Sequence, residues 1–417
     1  MIWISMLATV TSWLKNLGIN SHMNRNLNLL LGGQLVSQVG DKFHMLAVAF
    51  MVLKATGSPA KMGIVLFCSI FPGMVLGIVA GAVLDRYSRK RIIVFADVAR
   101  GIIVLGMSLL YMADCLSFSL LLLTQVLISV CTAFFDPAIP AMLPQIVKKD
   151  DLTRANSKTQ LVSGIATIAG PVLGGLTVAW SGYLAAFFIN AFSYLFSAVF
   201  ESFIKLGPVT RINKAATPLW EDIKEGCRYV GGTGKLMTIL VMVAVIHFLV
   251  GSVEAVIPVL ATKLTGDSAK NIGFIQTAFG LGSVLAAFAI SIHSIHGREV
   301  RFLFGSVCCM GLVFLMISGL FSAGIRFVGG FLIFFLCLGI LVIFAGTSFR
   351  SLIQKQAREE MLGRVFGFVS SVGNISIPLA ILVSGILLEY SGPDVLLAAC
   401  GLLLIPLSLA SWRLYLK

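Results

Sequence analysis

The chain alternates between long apolar stretches and short polar connections along almost its whole length. A helix needs about 20 apolar residues to cross the hydrocarbon core of a bilayer, and twelve stretches reach that length. Backbone groups in lipid must be hydrogen-bonded within the spanning segment, so these stretches predict helices. The expected class is an all-α membrane protein with twelve transmembrane helices. The predicted spans are 28–53, 61–84, 91–113, 116–136, 158–180, 183–204, 235–261, 270–293, 302–323, 326–349, 364–388 and 392–413.

The sequence repeats at half its length, with an offset of 209 residues. The turn after the first span reads Lys54-Ala-Thr-Gly57, and the turn after the seventh reads Lys263-Leu-Thr-Gly266. Two repeated halves around a central cavity are typical of secondary transporters. We therefore expect four regions: an N-terminal cytoplasmic segment (1–27), a six-helix half (28–204), a cytoplasmic linker (205–234) and a second six-helix half (235–417).

Lys and Arg are unevenly distributed between the two sides of the predicted bundle. When odd-numbered spans run outward, 24 of the 31 basic residues fall in cytoplasmic segments and five on the opposite side. Cytoplasmic loops carry such an excess, so we expect both termini in the cytoplasm and the protein in the plasma (cytoplasmic or inner) membrane. The net charge of +13 is spread over several short loops, so no nucleic-acid partner is expected. The expected partners are the lipid bilayer and a small-molecule substrate, bound by a monomer.

Two polar regions carry further expectations. In the linker, apolar residues recur at helical spacing from Leu219 to Val230. This pattern predicts a short amphipathic helix on the inner membrane face, with a solvated linker as the alternative. Residues 1–20 are moderately apolar but lack a small-residue cleavage site, so no secretory signal is expected. Either Met1 or Met23 is the start.

The sequence carries no pattern for ATP binding, hydrolysis or metal binding. Its eight cysteines lack ligand spacing, and there is no HExxH or GxSxG. The stretch Gly231-Gly-Thr-Gly-Lys235 lacks the spacing of a phosphate-binding loop. No segment resembles the filter of a channel. We therefore expect neither an enzyme nor a pump driven by ATP, with no cofactor or metal and with an ion gradient as the energy source.

The connection after the second span has a distinctive sequence. It reads Gly81-Ala-Val-Leu-Asp85-Arg86-Tyr-Ser-Arg89-Lys90-Arg91 and closely resembles the loop 2–3 signature of the major facilitator superfamily. The resemblance implies that superfamily's fold and a latch role for this loop, favouring the outward-facing state. Asp85 can interact with a neighbouring helix N-terminus, and the basic cluster with the anionic membrane surface. Ser88 replaces the usual glycine and the fourth span lacks a common arginine, so a purely topological role is the alternative.

The fifth span is rich in glycine and proline. The residues concerned are Gly164, Gly170, Pro171, Gly174 and Gly175. They are similar to the antiporter signature of exporters in the same superfamily, which implies export. Proline and glycine let a helix kink and pack closely at a moving interface, although both are common in transmembrane helices generally. With Gly40-Asp41 and the stretch 137–156, the chain resembles the branch that contains macrolide-efflux proteins and the enterobactin exporter.

Ionisable residues within the spans are candidates for the transport site, because intramembrane charges are costly and usually functional. The first span carries Asp41, Lys42 and His44, and the seventh carries His247 and Glu254. The resemblance implies that these two spans line the central cavity. We predict that Asp41 and Glu254 bind protons and contact a cationic substrate. The alternatives are a local ion pair between Asp41 and Lys42 or a capping role for Asp41, an outer-vestibule position for Glu254, and core roles for the histidines.

The third span carries Asp97 and Arg100, which lie on adjoining turns. We predict an ion pair with a structural or gating role. The expected function is a proton-coupled exporter of a small amphipathic, drug- or macrolide-like molecule by alternating access. The alternatives are a siderophore or lipid exporter of the same fold, an uncoupled facilitator, and a membrane sensor that transports nothing.

Overall fold

The computed structural model describes residues 25–148, 151–206, 228–292, 297–358 and 361–416, in which the regular structure is helical. Within these ranges some side chains, including those of residues 81–86, fall outside the description. The helices are α1 (Arg25–Thr56), α2 (Pro59–Arg86), α3 (Arg89–Met112), α4 (Phe118–Ile146), α5 (Leu152–Ser202), α6 (Gly234–Lys263), α7 (Ser268–Ile292), α8 (Glu299–Ser322), α9 (Gly329–Gln356), α10 (Leu362–Tyr390) and α11 (Pro393–Leu416).

Helix α5 contains two membrane spans. It has 51 residues, and Gly182 interrupts it with φ 76° and ψ 179°, a conformation that is open essentially to glycine alone. We call residues 152–181 α5a and residues 183–202 α5b. The prediction placed the division at the same point, between spans ending at 180 and beginning at 183. Within the described ranges, each of the helices α1 to α11 is long and apolar enough to cross a membrane, and the division of α5 gives the predicted twelve spans.

The repeated turn sequence has a structural cause. Gly57 and Gly266 both have left-handed backbone, with φ of 65° and 91°, which glycine adopts without a steric penalty. Gly57 directly follows α1, where such a residue commonly terminates a helix, and its amide donates to the carbonyl of Leu53 at 2.8 Å. Gly266 lies three residues after the end of α6. A left-handed glycine therefore occurs in the turn after the first helix of both halves.

Packing within each half follows the repeat as well. We call residues 25–206 the N half and residues 228–416 the C half. In the N half, α2 packs on α4, and the amide of Gly73 donates to Ser129 Oγ at 2.8 Å. In the C half, α7 packs on α9 at Gly282, the repeat partner of Gly73, which lies against the backbone of Leu336. The two-half architecture predicted from the repeat is confirmed.

Several predictions concern residues outside the described ranges. Most of the N-terminal segment and residues 207–227 of the linker belong there, including all but the last turn of the predicted amphipathic helix. Residues 228–231, near the end of the linker, are helical.

Candidate translocation site between the two halves

The two halves meet along two helix pairs, α2 with α10 and α5 with α7. A Cβ placed on Gly63 of α2 would lie 3.1 Å from Gly385 Cα of α10, and a Cβ on Gly175 of α5a would lie 2.8 Å from the Ala269 carbonyl of α7. Small residues permit this approach of two backbones. Both contacts are at the end of the bundle that carries Gly57 and Gly266, which the charge distribution predicts to be outer. We call it the outer end.

Towards the opposite, inner end, the halves diverge. Gly164 lies eleven residues before Gly175, so the two glycines share one face of α5a. Gly175 touches α7, whereas Gly164 is exposed, with open space where a Cβ would stand. Likewise α2 touches α10 at Gly63 but has open space around Gly77. The interface is therefore closed at the outer end and open towards the inner end.

The antiporter-like residues hold α5a against α1. A Cβ on Gly170 would collide with Lys42 Cβ, and one on Gly174 would lie 3.1 Å from Phe43 Cα. Gly175 faces the other half, and Pro171 lines the space between the halves. The consecutive glycines thus serve two contacts, one within the N half and one across the interface.

A cavity of about 650 Å³ lies between the halves and opens to solvent. From the N half, Lys42 and Met45 of α1 and Thr167 of α5a line it, and from the C half Glu254 of α6 and Gln276 of α7. A second cavity of about 520 Å³ lies within the C half and has almost wholly apolar walls. Glu254, Ile257 and Gln276 border both cavities. The Glu254 carboxylate therefore lies where the apolar pocket of the C half meets the cavity between the halves.

Lys42 and Glu254 are the opposite charges of the interface cavity. One comes from each half, and they interact electrostatically. The sequence predicted both residues as site candidates without relating them. The attraction between two such charges can be weakened by a competing cation or by a proton on the carboxylate. The attraction between Lys42 and Glu254 therefore depends on whether the cavity holds a cation.

Asp41 lies beside Lys42 in sequence but turns into the N half. Its carboxylate accepts a hydrogen bond from the Tyr194 hydroxyl of α5b and lies 4.0 Å from Arg100 Nη1 of α3. The side chain of Asp41 remains 35% exposed. The structure therefore separates the two predicted acids: Glu254 borders the cavities, and Asp41 belongs to a charge cluster of α1, α3 and α5b.

Arg100 is the centre of this cluster. It forms an ion pair with Asp97, and both side chains are almost fully buried, at 2% and 0% exposure. The guanidinium also stacks over the rings of Phe135 and Tyr194, at 4.1 and 4.5 Å from the ring centroids. Cation–π contacts stabilise a desolvated guanidinium. The sequence predicted the pair with Asp97 but not its connection to Asp41.

Both predicted histidines are packed against neighbouring residues. His44 is buried beside the Phe187 ring, with Nε2 3.1 Å from Gln125 Nε2 and 3.3 Å from Gln125 Oε1. His247 has Nδ1 2.8 Å from the carbonyl of Val243 and packs against Gly373. Neither borders the two cavities described above. Their surroundings resemble those of hydrogen-bonded core residues.

The loop after α2 is described in part. The side chains of Gly81, Asp85 and Arg86 fall outside the description. Arg89 Nη1 donates to the carbonyl of Ala141 at 2.6 Å and so attaches the start of α3 to the inner end of α4. Of the remaining basic residues, Lys90 is half-buried and Arg91 is exposed.

Sequence reasoning missed three polar residues that lie within the predicted spans. Asp136 of α4 is exposed and interacts electrostatically with Arg100, Asp41 and Lys42. It occupies the last position of a predicted span, directly before a proline, which made it resemble a loop residue. Glu201 of α5b is fully buried, and its position inside a predicted span was a usable signal. Gln276 of α7 gave no signal, because a single glutamine is compatible with any helix face.

Comparison with known proteins identifies the family. The family model of the Major Facilitator Superfamily matches residues 30–381. Similar chains include the uncharacterized MFS-type transporter YfiS of Bacillus subtilis (28% identity over 397 residues, 92% of each chain). Macrolide efflux protein A of Streptococcus pyogenes is 23% identical and covers 89% of this chain and 92% of its own length. Multidrug efflux pump Tap of Mycobacterium tuberculosis is 25% identical, covering 93% and 92%.

A solved structure agrees with this assignment at the level of the fold. The bacterial homologue of the iron transporter ferroportin, in an inward-facing state, superposes with a TM-score of 0.74 at 15% identity. The match covers 93% of this chain and 98% of that one. The predicted family and fold are confirmed, and the family is one of transporters, not enzymes. The chain belongs to the Major Facilitator Superfamily.

Proposed function

We propose that this protein exports a small amphipathic cation across the plasma membrane in exchange for protons, by alternating access. The position of Glu254 is the observation that carries the proposal, because this carboxylate borders both the apolar pocket of the C half and the cavity between the halves. The relatives named as a macrolide efflux protein and a multidrug efflux pump support the same direction of transport and class of cargo.

The two cavities suit a cargo with a charged and an apolar part. The pocket within the C half is walled by Phe279, Met310, Phe314 and Leu338, among others. Burial of apolar surface there stabilises a bound ligand by about 25 cal/mol per Å². A few polar groups in a largely apolar pocket fix the orientation of a ligand. Glu254 would hold an amine and Gln276 a neutral polar group.

Proton coupling follows from the same carboxylate. With the site empty, Lys42 offsets the charge of Glu254. A cationic cargo entering from the inner side competes with Lys42 for the carboxylate. After the interface has opened outward, protonation of Glu254 removes the attraction and releases the cargo. Asp41 supplies a second carboxylate, and its bond to Tyr194 and proximity to Arg100 connect its charge state to helices α3 and α5b.

The orientation is part of the proposal. With both termini in the cytoplasm, the closed end of the interface faces outward and the open end faces the cytoplasm. Cargo then enters from the cytoplasm or the inner leaflet. The protein works as a monomer, because each chain contains both halves of the interface.

Efflux from proteoliposomes tests the proposal. Purified protein is reconstituted with an imposed proton gradient, and the movement of ethidium and of erythromycin is followed with and without a protonophore. We expect uphill movement of at least one compound, abolished by the protonophore. Movement that persists after the gradient has collapsed would identify an uncoupled facilitator, and no movement of either compound would contradict the cationic cargo.

A further inference from the structure

A stripe of buried polar side chains runs along α5b. Asn190, Ser193, Ser197 and Glu201 are at most 2% exposed, and their spacing of three and four residues places them on one helix face. The stripe faces α1 across two glycines. A Cβ on Gly33 would lie 2.9 Å from Ser197 Oγ, and one on Gly40 would collide with Ser193 Oγ. The polar groups are therefore enclosed between helices, away from lipid.

The stripe connects the charge cluster with the inner end of the bundle. Tyr194, which donates to Asp41, precedes Glu201 by seven residues, or about 10 Å along the helix. Ser197 Oγ lies between the two levels, 3.4 Å from Glu201 Oε1, and it also interacts with the Asp97 carboxylate. Glu201 is one residue from the end of α5b. A line of polar groups thus runs from Asp41 to the inner membrane boundary.

Charges within the sealed part of this line do not balance if every acid is ionised. Arg100, Asp97 and Glu201 are all at most 1% exposed. Among the residues that the structure describes, the groups of other helices that interact electrostatically with Glu201 are Asp97 and Arg100 of α3. Arg100 stays protonated in proteins and its charge is offset by Asp97. An uncompensated buried carboxylate is too costly, so Glu201 is a neutral carboxylic acid.

Several buried polar atoms along the same line have no hydrogen-bond partner among the described residues. They include Gln34 Oε1 of α1, Asp97 Oδ2 and Arg100 Nε of α3, and Asn190 Nδ2 and Glu201 Oε2 of α5b. Buried polar atoms nearly always have a partner, either protein or ordered water. Their concentration between α1, α3 and α5b identifies a region that can hold hydrogen-bonded water.

We propose that protons pass from Asp41 to the cytoplasm through the interior of the N half, by way of Asp97, Ser197 and Glu201, on a path separate from the substrate cavity. Protonated Asp41 transfers a proton through water to Asp97, and Arg100 moves its ion pair from Asp97 to the Asp41 carboxylate. The Ser197 hydroxyl then accepts the proton of Asp97 and donates its own to one oxygen of Glu201. At the same time the other oxygen of Glu201 releases its proton at the inner end, so that Glu201 stays neutral.

One proton has then moved from Asp41 to the cytoplasm, while Arg100 keeps its charge and no other bond changes. After reprotonation of Asp41 from outside, the cluster returns to its starting state. The relay rests on the proton coupling proposed above. It adds that the proton and the cargo leave their sites by different routes, so that a hydrophobic cargo does not obstruct the return of protons.

Infrared spectroscopy tests the neutral state of Glu201 without any transport. The full-length protein in lipid at neutral pH should show the C=O stretch of a protonated carboxyl group. Glu201→Gln should remove that band, and Glu201→Asp should restore one. A spectrum unchanged by Glu201→Gln would mean that Glu201 is ionised, which overturns the relay.

Proton flux tests the path itself. Ethidium-driven proton movement in proteoliposomes, followed with an entrapped pH dye, should fall by about tenfold or more in Glu201→Gln and recover in Glu201→Asp. Ethidium binding should stay within about twofold, since the cavity is untouched. Ser197→Ala is the second variant if Glu201→Gln fails to fold. Normal flux in both variants overturns the relay alone, whereas absence of flux in the unmodified protein overturns proton coupling.

Discussion

The Ser58 hydroxyl donates a hydrogen bond of 2.6 Å to the carboxylate of Glu389, joining the N half to the C half at the outer end of the bundle. The same oxygen of Glu389 accepts from the amide of Ala60, at 3.1 Å, in the first turn of α2. A carboxylate is stabilised at a helix N-terminus by the unpaired amides and the helix dipole. Glu389 therefore contributes to the closed state of the outer end and loses both contacts when that end opens.

Glu389→Gln should shift the population towards the outward-facing state. Loss of charge weakens both contacts of Glu389 and so favours the state in which they are already broken; because the contact is exposed to solvent, the change in the ratio of the two states should be small but measurable. Distances between spin labels across the outer end measure the shift. Asp394→Asn is the matched control, because Asp394 bonds to Ser322 within the same half. Equal distance distributions in the Glu389 and Asp394 variants would contradict the latch role of Glu389.

Asp85→Asn should have the opposite effect. If the loop after α2 works as the latch that its sequence resembles, removal of the charge weakens the outward-facing state and favours the inward-facing one. Spin labels across the inner end should show a larger separation, and uphill efflux should fall while protein levels stay near normal. Distances and efflux that both match the unmodified protein would leave the loop a topological role only.

Gly174→Leu and Gly164→Leu should differ sharply in stability. The first places a side chain against Phe43, whose Cα is 3.1 Å from the position of the new Cβ, whereas the second points into open space. Overpacking of this kind costs about 1–3 kcal/mol. Thermal unfolding in detergent should show a lower Tm for Gly174→Leu and an unchanged Tm for Gly164→Leu. Two variants of equal stability would remove the structural basis for the antiporter-like motif.

Asp41→Asn and Glu254→Gln should impair uphill efflux in different ways. Glu254 borders the cavities, so its variant should bind ethidium more weakly, by about tenfold for a lost charge-assisted contact. Asp41 lies in the charge cluster, so its variant should bind ethidium almost normally and still allow downhill exchange. Binding by fluorescence titration and efflux from energised vesicles separate the two. Unchanged uphill efflux in both variants would exclude proton coupling through these residues.

Cysteine labelling should establish the orientation. In a background lacking the other cysteines, Asn156→Cys and Gln354→Cys are exposed positions at the inner end and should react with an impermeant maleimide only after the cells are opened. The native Cys115, exposed between α3 and α4, should react in intact cells and serves as the positive control. Labelling of position 156 or 354 from outside would reverse the topology.

The spans could be predicted because they depend on local properties. Each transmembrane helix must be apolar and long enough by itself, and Gly182 divides α5 where two apolar stretches meet. Which face of a helix points inward is set by its neighbours. Asp41 and Lys42 are adjacent, and their sequence gives no reason for one to join Arg100 and the other to face Glu254. The close packing at Gly40 and Gly170 sets the direction of each side chain. The residues that make these contacts with α1 belong to another helix, so the sequence of α1 does not reveal them.

The two closed contacts at the outer end also have a mechanical consequence. The part of α2 between its crossing with α10 at Gly63 and its end at Arg86 is 23 residues long, about 35 Å, and acts as a lever arm. A rotation of about 10° about that crossing displaces the far end by about 6 Å, whereas the helices at the crossing hardly move. The distance between α2 and α10 at this crossing is set by the two glycines, at positions 63 and 385. That distance in turn affects the width of the opening through which cargo enters. Any residue larger than glycine at either position would alter the angle at which α2 crosses α10.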